Sequence, residues 1–320
     1  MKKILKYIGI GFGGLFVLLG MAITVAASMD PRSRPASTEK VEATPERIER
    51  GRYLANHVGI CFACHAELNH ESLSQRMVPG TEGFPGGCDP SFPGKVCFSN
   101  ITSHPTAGIG GWSDGEVIRA IREGISRDGR PLAPLMPYGA YKSFSDEDTK
   151  ALVAYLRTLA PSDKVSPVSE LPPPLKIAMK FMPAPVEEPV AHPAATDTVA
   201  YGRYLTSVAA CGDCHGKDFS GGGIEFHTPV GPVLGANITP DPETGIGAMT
   251  REGFINLFKA YKDLDPALKM NAQTASHMPW SLYAGMKEED LGAIFDYLRT
   301  VPAVRKQVVI RPQARAEAAH

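Results

Sequence analysis

The chain contains itself twice, and that duplication limits the folds open to it. Gly51-Arg52-Tyr53-Leu54 followed by Cys61-Phe62-Ala63-Cys64-His65 returns as Gly202-Arg203-Tyr204-Leu205 followed by Cys211-Gly212-Asp213-Cys214-His215. Asn100-Ile101-Thr102 and Gly108-Ile109-Gly110 return as Asn237-Ile238-Thr239 and Gly245-Ile246-Gly247, at an offset of 137. Met136-Pro137 and Leu156-Arg157-Thr158 return as Met278-Pro279 and Leu298-Arg299-Thr300, at an offset of 142. Six landmarks in one order define two copies of one unit, at 45–160 and 196–303. Residues 161–195 between them are rich in proline, which predicts a semi-rigid linker rather than a core element. The tail, 304–320, reads as solvated.

The N-terminus is different in kind. Lys2, Lys3 and Lys6 precede an uncharged run from Tyr7 to Ala27. Its length matches the roughly 20 residues that a helix needs to cross a bilayer core. The rival is a cleaved signal peptide, whose apolar core is usually about 7–15 residues; Val25-Ala26-Ala27 is a weak cleavage site. The longer run favours a transmembrane helix in residues 1–28, followed by a tether at 29–44. Lysines before such a helix stay cytoplasmic. The expected location is therefore the bacterial inner membrane, single-pass, with both repeats in the periplasm. Lys plus Arg number 33 and Asp plus Glu 34, a balance that argues against a nucleic-acid-binding surface.

Each repeat reads as helices joined by long loops, an all-α class. Ser145 caps a helix on which Leu152, Tyr155, Leu156 and Leu159 share one face. Ile294, Tyr297, Leu298 and Val301 repeat that face. A shorter helix at 114–123 carries Val117, Ile118 and Ile121, matched by Phe254, Ile255 and Phe258. No strand pattern stands out. The acidic runs Asp146-Glu147-Asp148 and Lys287 to Asp290 read as solvated helix starts that suit the helix dipole. The loops are too long for domains of this size unless something fills the centre.

Three chemistries use Cys-x-x-Cys-His. A thioredoxin-like redox pair needs a βαβ setting, and none is visible. A structural zinc site needs four ligands, and the second repeat has only Cys211 and Cys214. The third is covalent c-type haem attachment. On that reading the chain carries two covalently attached haem c groups. Cys61 and Cys64 hold one with His65 as axial ligand; Cys211 and Cys214 hold the other with His215. The opposite ligand must recur in both repeats. Met136 and Met278 do so, each ahead of proline, an aromatic residue and then Tyr141 or Tyr283. His277 is the rival to Met278. A flexible thioether raises the haem potential and suits electron transfer. Cys88 and Cys97 remain, in an insertion that only the first repeat has; outside the cytoplasm a disulfide between them is expected. The Asn-Ile-Thr pair predicts a shared structural role for a loop lining the haem. Trp112 and Trp280, which do not match each other, read as pocket or core packing.

The stretches "NITSHPTAGIGGWSDGEVIRAI" and "PLMPYGAYKSFSDEDTKALVAYLRTL", with their counterparts "NITPDPETGIG" and "HMPWSLYAG", resemble the haem domains of the cytochrome c subunit of bacterial membrane-bound alcohol, aldehyde and gluconate dehydrogenases. The resemblance runs from about Gly51 to Thr300. It implies two class I cytochrome c domains in tandem, each a small helical fold around a His/Met haem: His65 with Met136, and His215 with Met278. It also implies electrons accepted from a dehydrogenase subunit and passed to ubiquinone or another carrier. The chain departs from that family in carrying two motifs where its members usually carry three. The sequence therefore predicts an electron-transfer protein and not an enzyme in its own right. Its partners would be a dehydrogenase subunit, a respiratory complex or an oxidase. A tethered shuttle to a terminal oxidase or reductase, and a dihaem oxidoreductase with one open-site haem, stay as alternatives.

Overall fold

A computed structural model describes residues 2–89, 93–194 and 196–312, with the side chains of residues 2–13 outside the description. Helices take 36% of the chain and strands 7%, so the all-α expectation holds at the level of class.

Helix α1 runs Lys2–Ser28. From Leu15 to Val25 its large apolar side chains are all more than half exposed. The predicted anchor at 7–27 lies partly outside the described residues. Among the described residues no helix is long and apolar enough to cross a membrane.

The first repeat opens with α2 (Pro45–Tyr53). Thr44 caps it by accepting from the Arg47 N–H, and proline occupies its first turn, where a missing N–H costs nothing. The chain continues as a π-turn, Leu54–Val58, whose Leu54, Ala55 and Val58 are fully buried. Helix α3 (Asp114–Glu123) starts at a capping box made by Ser113 and Glu116 and stops at Gly124, φ 69°. After the short α4 (Tyr138–Tyr141) comes α5 (Asp146–Leu156), capped by Ser145. Helix α6 (Pro173–Met179) lies in the linker. The second repeat supplies α7 (Thr198–Val208), α8 (Cys211–His215), α9 (Arg251–Lys259), α10 (Trp280–Tyr283) and α11 (Glu288–Leu298).

In both repeats the first and last helices cross at a glycine. A Cβ on Gly51 would sit 1.8 Å from the Ala151 carbonyl oxygen, and one on Gly202 1.8 Å from that of Ala293. These helices touch backbone to backbone, which is why GRYL recurs. Gly51→Ala and Gly202→Ala must therefore push the helix pairs apart. We expect each to cost about 1–3 kcal/mol or more and to lower the melting point by on the order of 10 °C. A melting scan that leaves either variant unmoved would contradict this packing.

Four expectations need correction. Two small antiparallel sheets exist: β1 (Cys88–Asp89) with β2 (Val96–Cys97), and β3 (Glu225–Thr228) with β4 (Gly231–Leu234). Strands this short leave too little alternation to read. Cys88 and Cys97 are joined by a disulfide across the first pair. The linker, read as a semi-rigid spacer, docks on the first repeat. Lys95 and Glu170 exchange both backbone hydrogen bonds at 2.8 Å, and Ser166 and Ser169 accept from the Asn100 and Cys97 N–H groups. Lys180 Nζ donates to the Ala27 and Met29 carbonyls at the end of α1.

The described part of the tail, 304–312, docks as well. Leu234 N–H bonds the Ile310 carbonyl, and Arg311 Nε the Ala275 carbonyl. Finally, the third acid of each helix start is buried, Asp148 to 4% and Asp290 to 3% exposure, because each faces the other repeat.

The two repeats share one continuous apolar core. His57 crosses between them: its Nδ1–H donates to the Leu282 carbonyl at 2.9 Å, and its ring lies against Gly285. Burial holds this imidazole below its ordinary pKa of 6.5, with the Leu282 bond pulling the other way. The folded state thus resists a proton that the unfolded chain accepts. The stabilisation is complete above pH 6.5 and is lost as pH falls below it towards the depressed folded value. A His57→Gln variant should show a shallower loss of melting temperature between pH 7 and 5 than the wild type; identical slopes would contradict it.

Candidate haem sites

Both Cys-x-x-Cys-His motifs begin from a strained residue. Ile60 has φ 42° and Ala210 φ 55°, left-handed values that non-glycine residues rarely adopt and that cluster at functional sites. The second motif then lies wholly on α8 (Cys211–His215), while in the first a 3-10 turn covers Cys61–Ala63, Cys64 ends it, and the His65 N–H bonds back to the Cys61 carbonyl at 2.9 Å. His65 Nδ1–H donates to the Ser99 carbonyl at 2.7 Å, and His215 Nδ1–H to the Ala236 carbonyl at 2.8 Å. Each bond fixes the tautomer and leaves Nε2 with its lone pair as the only ligating atom. Burial lowers the pKa of both rings, which keeps them neutral and able to bind metal.

The backbone closes tightly behind each motif. A Cβ on Gly86 would meet the Cys64 carbonyl oxygen at 2.0 Å, and one on Gly235 that of Cys214 at 2.1 Å. The buried Tyr141 hydroxyl donates to the Gly59 carbonyl, and Tyr283 does the same to Ala209 at 2.8 Å. The alternatives fare worse. A redox-active thiol has a lowered pKa, whereas burial pushes Cys61, Cys64 and Cys211 up to about 12 and Cys214 up to about 11. A zinc site also needs converging ligands; among the described residues no three His, Cys, Asp or Glu side chains gather.

Met136 and Met278 stand on matching turns. Tyr138 N–H bonds the Met136 carbonyl and Trp280 N–H that of Met278, both at 2.8 Å. Pro137 (φ −80°, ψ 48°) and Pro279 (φ −79°, ψ 64°) are the corners, the inverse γ-turn that proline favours. Both methionines are partly buried against the same core as Cys61 and Cys211. Two residues past Met136, the Tyr138 hydroxyl is buried without a partner among the described residues. An orphaned donor there fits a bound group that brings its own acceptor. The neutral histidines, the paired cysteines and the paired methionine turns fit a haem in each repeat.

The other candidates have structural work. His277 stacks on Phe226 with ring centres 4.6 Å apart. Trp280 stacks on Tyr261 and donates to Ser276, whereas Trp112 packs at the core margin. Asn100 and Asn237 turn away from the motifs. Each accepts from the N–H and hydroxyl of the threonine two residues on. Each also donates to the segment after the last helix, Ser162 and Lys164 in one repeat and Val304 and Lys306 in the other. The orienting carbonyls of Ser99 and Ala236, and the left-handed Ile60 and Ala210, were missed from sequence. The carbonyls had one signal, standing just before the repeated Asn-Ile-Thr.

No protein-family model matches the chain. Helical repeats, each with a neutral histidine beside two cysteines, have the pattern that covalent c-type haem attachment uses. Known proteins agree. The chain is similar to the fructose dehydrogenase cytochrome subunit of Gluconobacter japonicus, with 31% identity over 88% of this chain and 58% of that protein. It is also similar to the gluconate 2-dehydrogenase cytochrome c subunit of Pantoea cypripedii, with 30% identity over 82% of this chain and 61% of that protein. A diheme c-type cytochrome of Cereibacter sphaeroides is 27% identical over 77% of this chain and 83% of its own length. Homologues at about 30% identity over most of the chain are thus cytochrome c subunits of dehydrogenases, not catalytic subunits. The chain spans about three fifths of the length of the dehydrogenase relatives.

Proposed function

We propose that the chain is a two-haem electron carrier, anchored in the bacterial inner membrane by α1, facing the periplasm and serving a dehydrogenase. The observation that carries this reading is the duplicated Nδ1–H to carbonyl bond, which leaves Nε2 of His65 and of His215 available to ligate an iron. Cys61 with Cys64, and Cys211 with Cys214, would hold the two groups by thioether bonds. His65 and Met136 would flank one iron, and His215 and Met278 the other. Bound haem supplies a one-electron Fe(III)/Fe(II) couple. The chain's own residues fix the ligands, exclude water with Phe62, Leu54 and Leu205, and set the spacing between the sites. The uncharged run from Tyr7 to Ala27 supports the anchor. The dehydrogenase partner rests on the names of the relatives.

The test is to solubilise membranes from the source organism and isolate the full chain. The reading predicts a dehydrogenase subunit in stoichiometric amount, and reduction of the chain by that subunit's substrate alone. Recovery from the soluble fraction would overturn the anchor. Reduction only through an oxidase or reductase complex would overturn the dehydrogenase assignment.

A further inference from the structure

The contact between the repeats is reciprocal, as in a symmetric dimer, where each side offers the other the same residue. Tyr53 from the first repeat accepts from the Lys287 N–H at 3.0 Å and donates to Asp290. Tyr204 from the second accepts from the Ser145 N–H at 3.3 Å and donates to Asp148. Each tyrosine thereby binds both the N-cap residue and the third residue of the last helix of the other repeat. Both carboxylates are buried, and a buried carboxylate without donors is costly. Arg50 adds two bonds to Asp148, at 2.8 and 2.7 Å. His192 of the linker covers the joint, packed on the rings of Tyr201 and Tyr204.

This joint lies close to the haem sites. Helix α10, just after Met278, rests on the Leu54–Val58 segment that leads to Cys61. Helix α4, just after Met136, rests on α7, which leads to Cys211. A shift of one repeat against the other therefore moves a methionine turn of one site relative to the cysteines of the other. Domains of one chain normally move against each other unless their interface is large and apolar. Here a shared core and two interlocked tyrosine–aspartate pairs oppose that motion.

We propose that Tyr53 and Tyr204 are positioning residues for electron exchange between the two haem sites, holding the repeats as one rigid body. The proposal rests on the two-haem reading above. The exchange passes one electron from the reduced site to the oxidised one. No bond forms or breaks, and neither tyrosine loses its proton.

The test compares the full haem-loaded chain with Tyr53→Phe, Tyr204→Phe and the double variant. Haem content, calorimetric unfolding and electron exchange after flash reduction are measured on each. The wild type should unfold in one transition and the double variant in two, with both haem spectra unchanged. Exchange should slow in the double variant, since outer-sphere transfer weakens with every ångström added between the two sites. Where the double variant does not fold, each single variant carries the same test and should slow exchange. Two haems with an unaffected exchange rate overturn the positioning role alone, even if unfolding splits. A wild-type chain without two haems overturns the two-haem reading, and the proposal falls with it.

Discussion

Met136→Ala leaves two haems attached and turns one of them high-spin, and Met278→Ala does the same at the other site. Each variant loses half of the methionine-to-iron charge-transfer band and gains one site that binds carbon monoxide. The affected potential falls by on the order of 0.1 V or more, within the ~0.8 V that axial ligands span. The matching inverse γ-turns at Pro137 and Pro279 are the reason to expect equal outcomes. Alanine keeps the turn, so the fold should survive. If either variant keeps a wild-type spectrum, that methionine is core filler, and for the second site His277 becomes the ligand to test.

Replacing both Cys211 and Cys214 by alanine has the larger structural consequence. Haem content should fall from two per chain to one, by pyridine haemochrome. The second repeat should also lose its fold. Between α8 and α9 only the β3–β4 hairpin is regular, and a long loop of that kind needs a filled centre. Its last helix, α11, crosses α7 at Gly202 and shares the common core. Part of the first repeat's stability should therefore go with it. A variant with one haem, full helix content and an unchanged melting point would show that the second repeat folds without its cofactor.

What could be read in advance was local. Helix α3 falls where its apolar spacing predicts, and Ser145 caps α5 as its position before Asp148 suggests. Such signals lie within a few residues of each other. The misses in packing are long-range. Asp148 and Asp290 read as solvated because the tyrosines that bury them come from the other repeat. The linker read as a semi-rigid spacer and the tail as solvated because the bonds that dock them at Cys97, Asn100, Lys180, Leu234 and Arg311 each have a backbone group on at least one side, and a backbone group leaves no sequence pattern. At the site, the cysteines and histidines were plain in the sequence. Ser99 and Ala236 were not, since any residue offers a carbonyl. Ile60 and Ala210 were not, since a left-handed turn without glycine has no sequence mark.

The central claim is that each repeat holds a six-coordinate haem between a histidine and a methionine. A redox-titrated visible spectrum of the purified full chain, with haem counted alongside, tests it most directly. The account predicts two haems per chain, both low-spin, with the methionine-to-iron band at full strength for two sites and no reaction with carbon monoxide. One haem, or a high-spin site that binds carbon monoxide in the wild type, would contradict it.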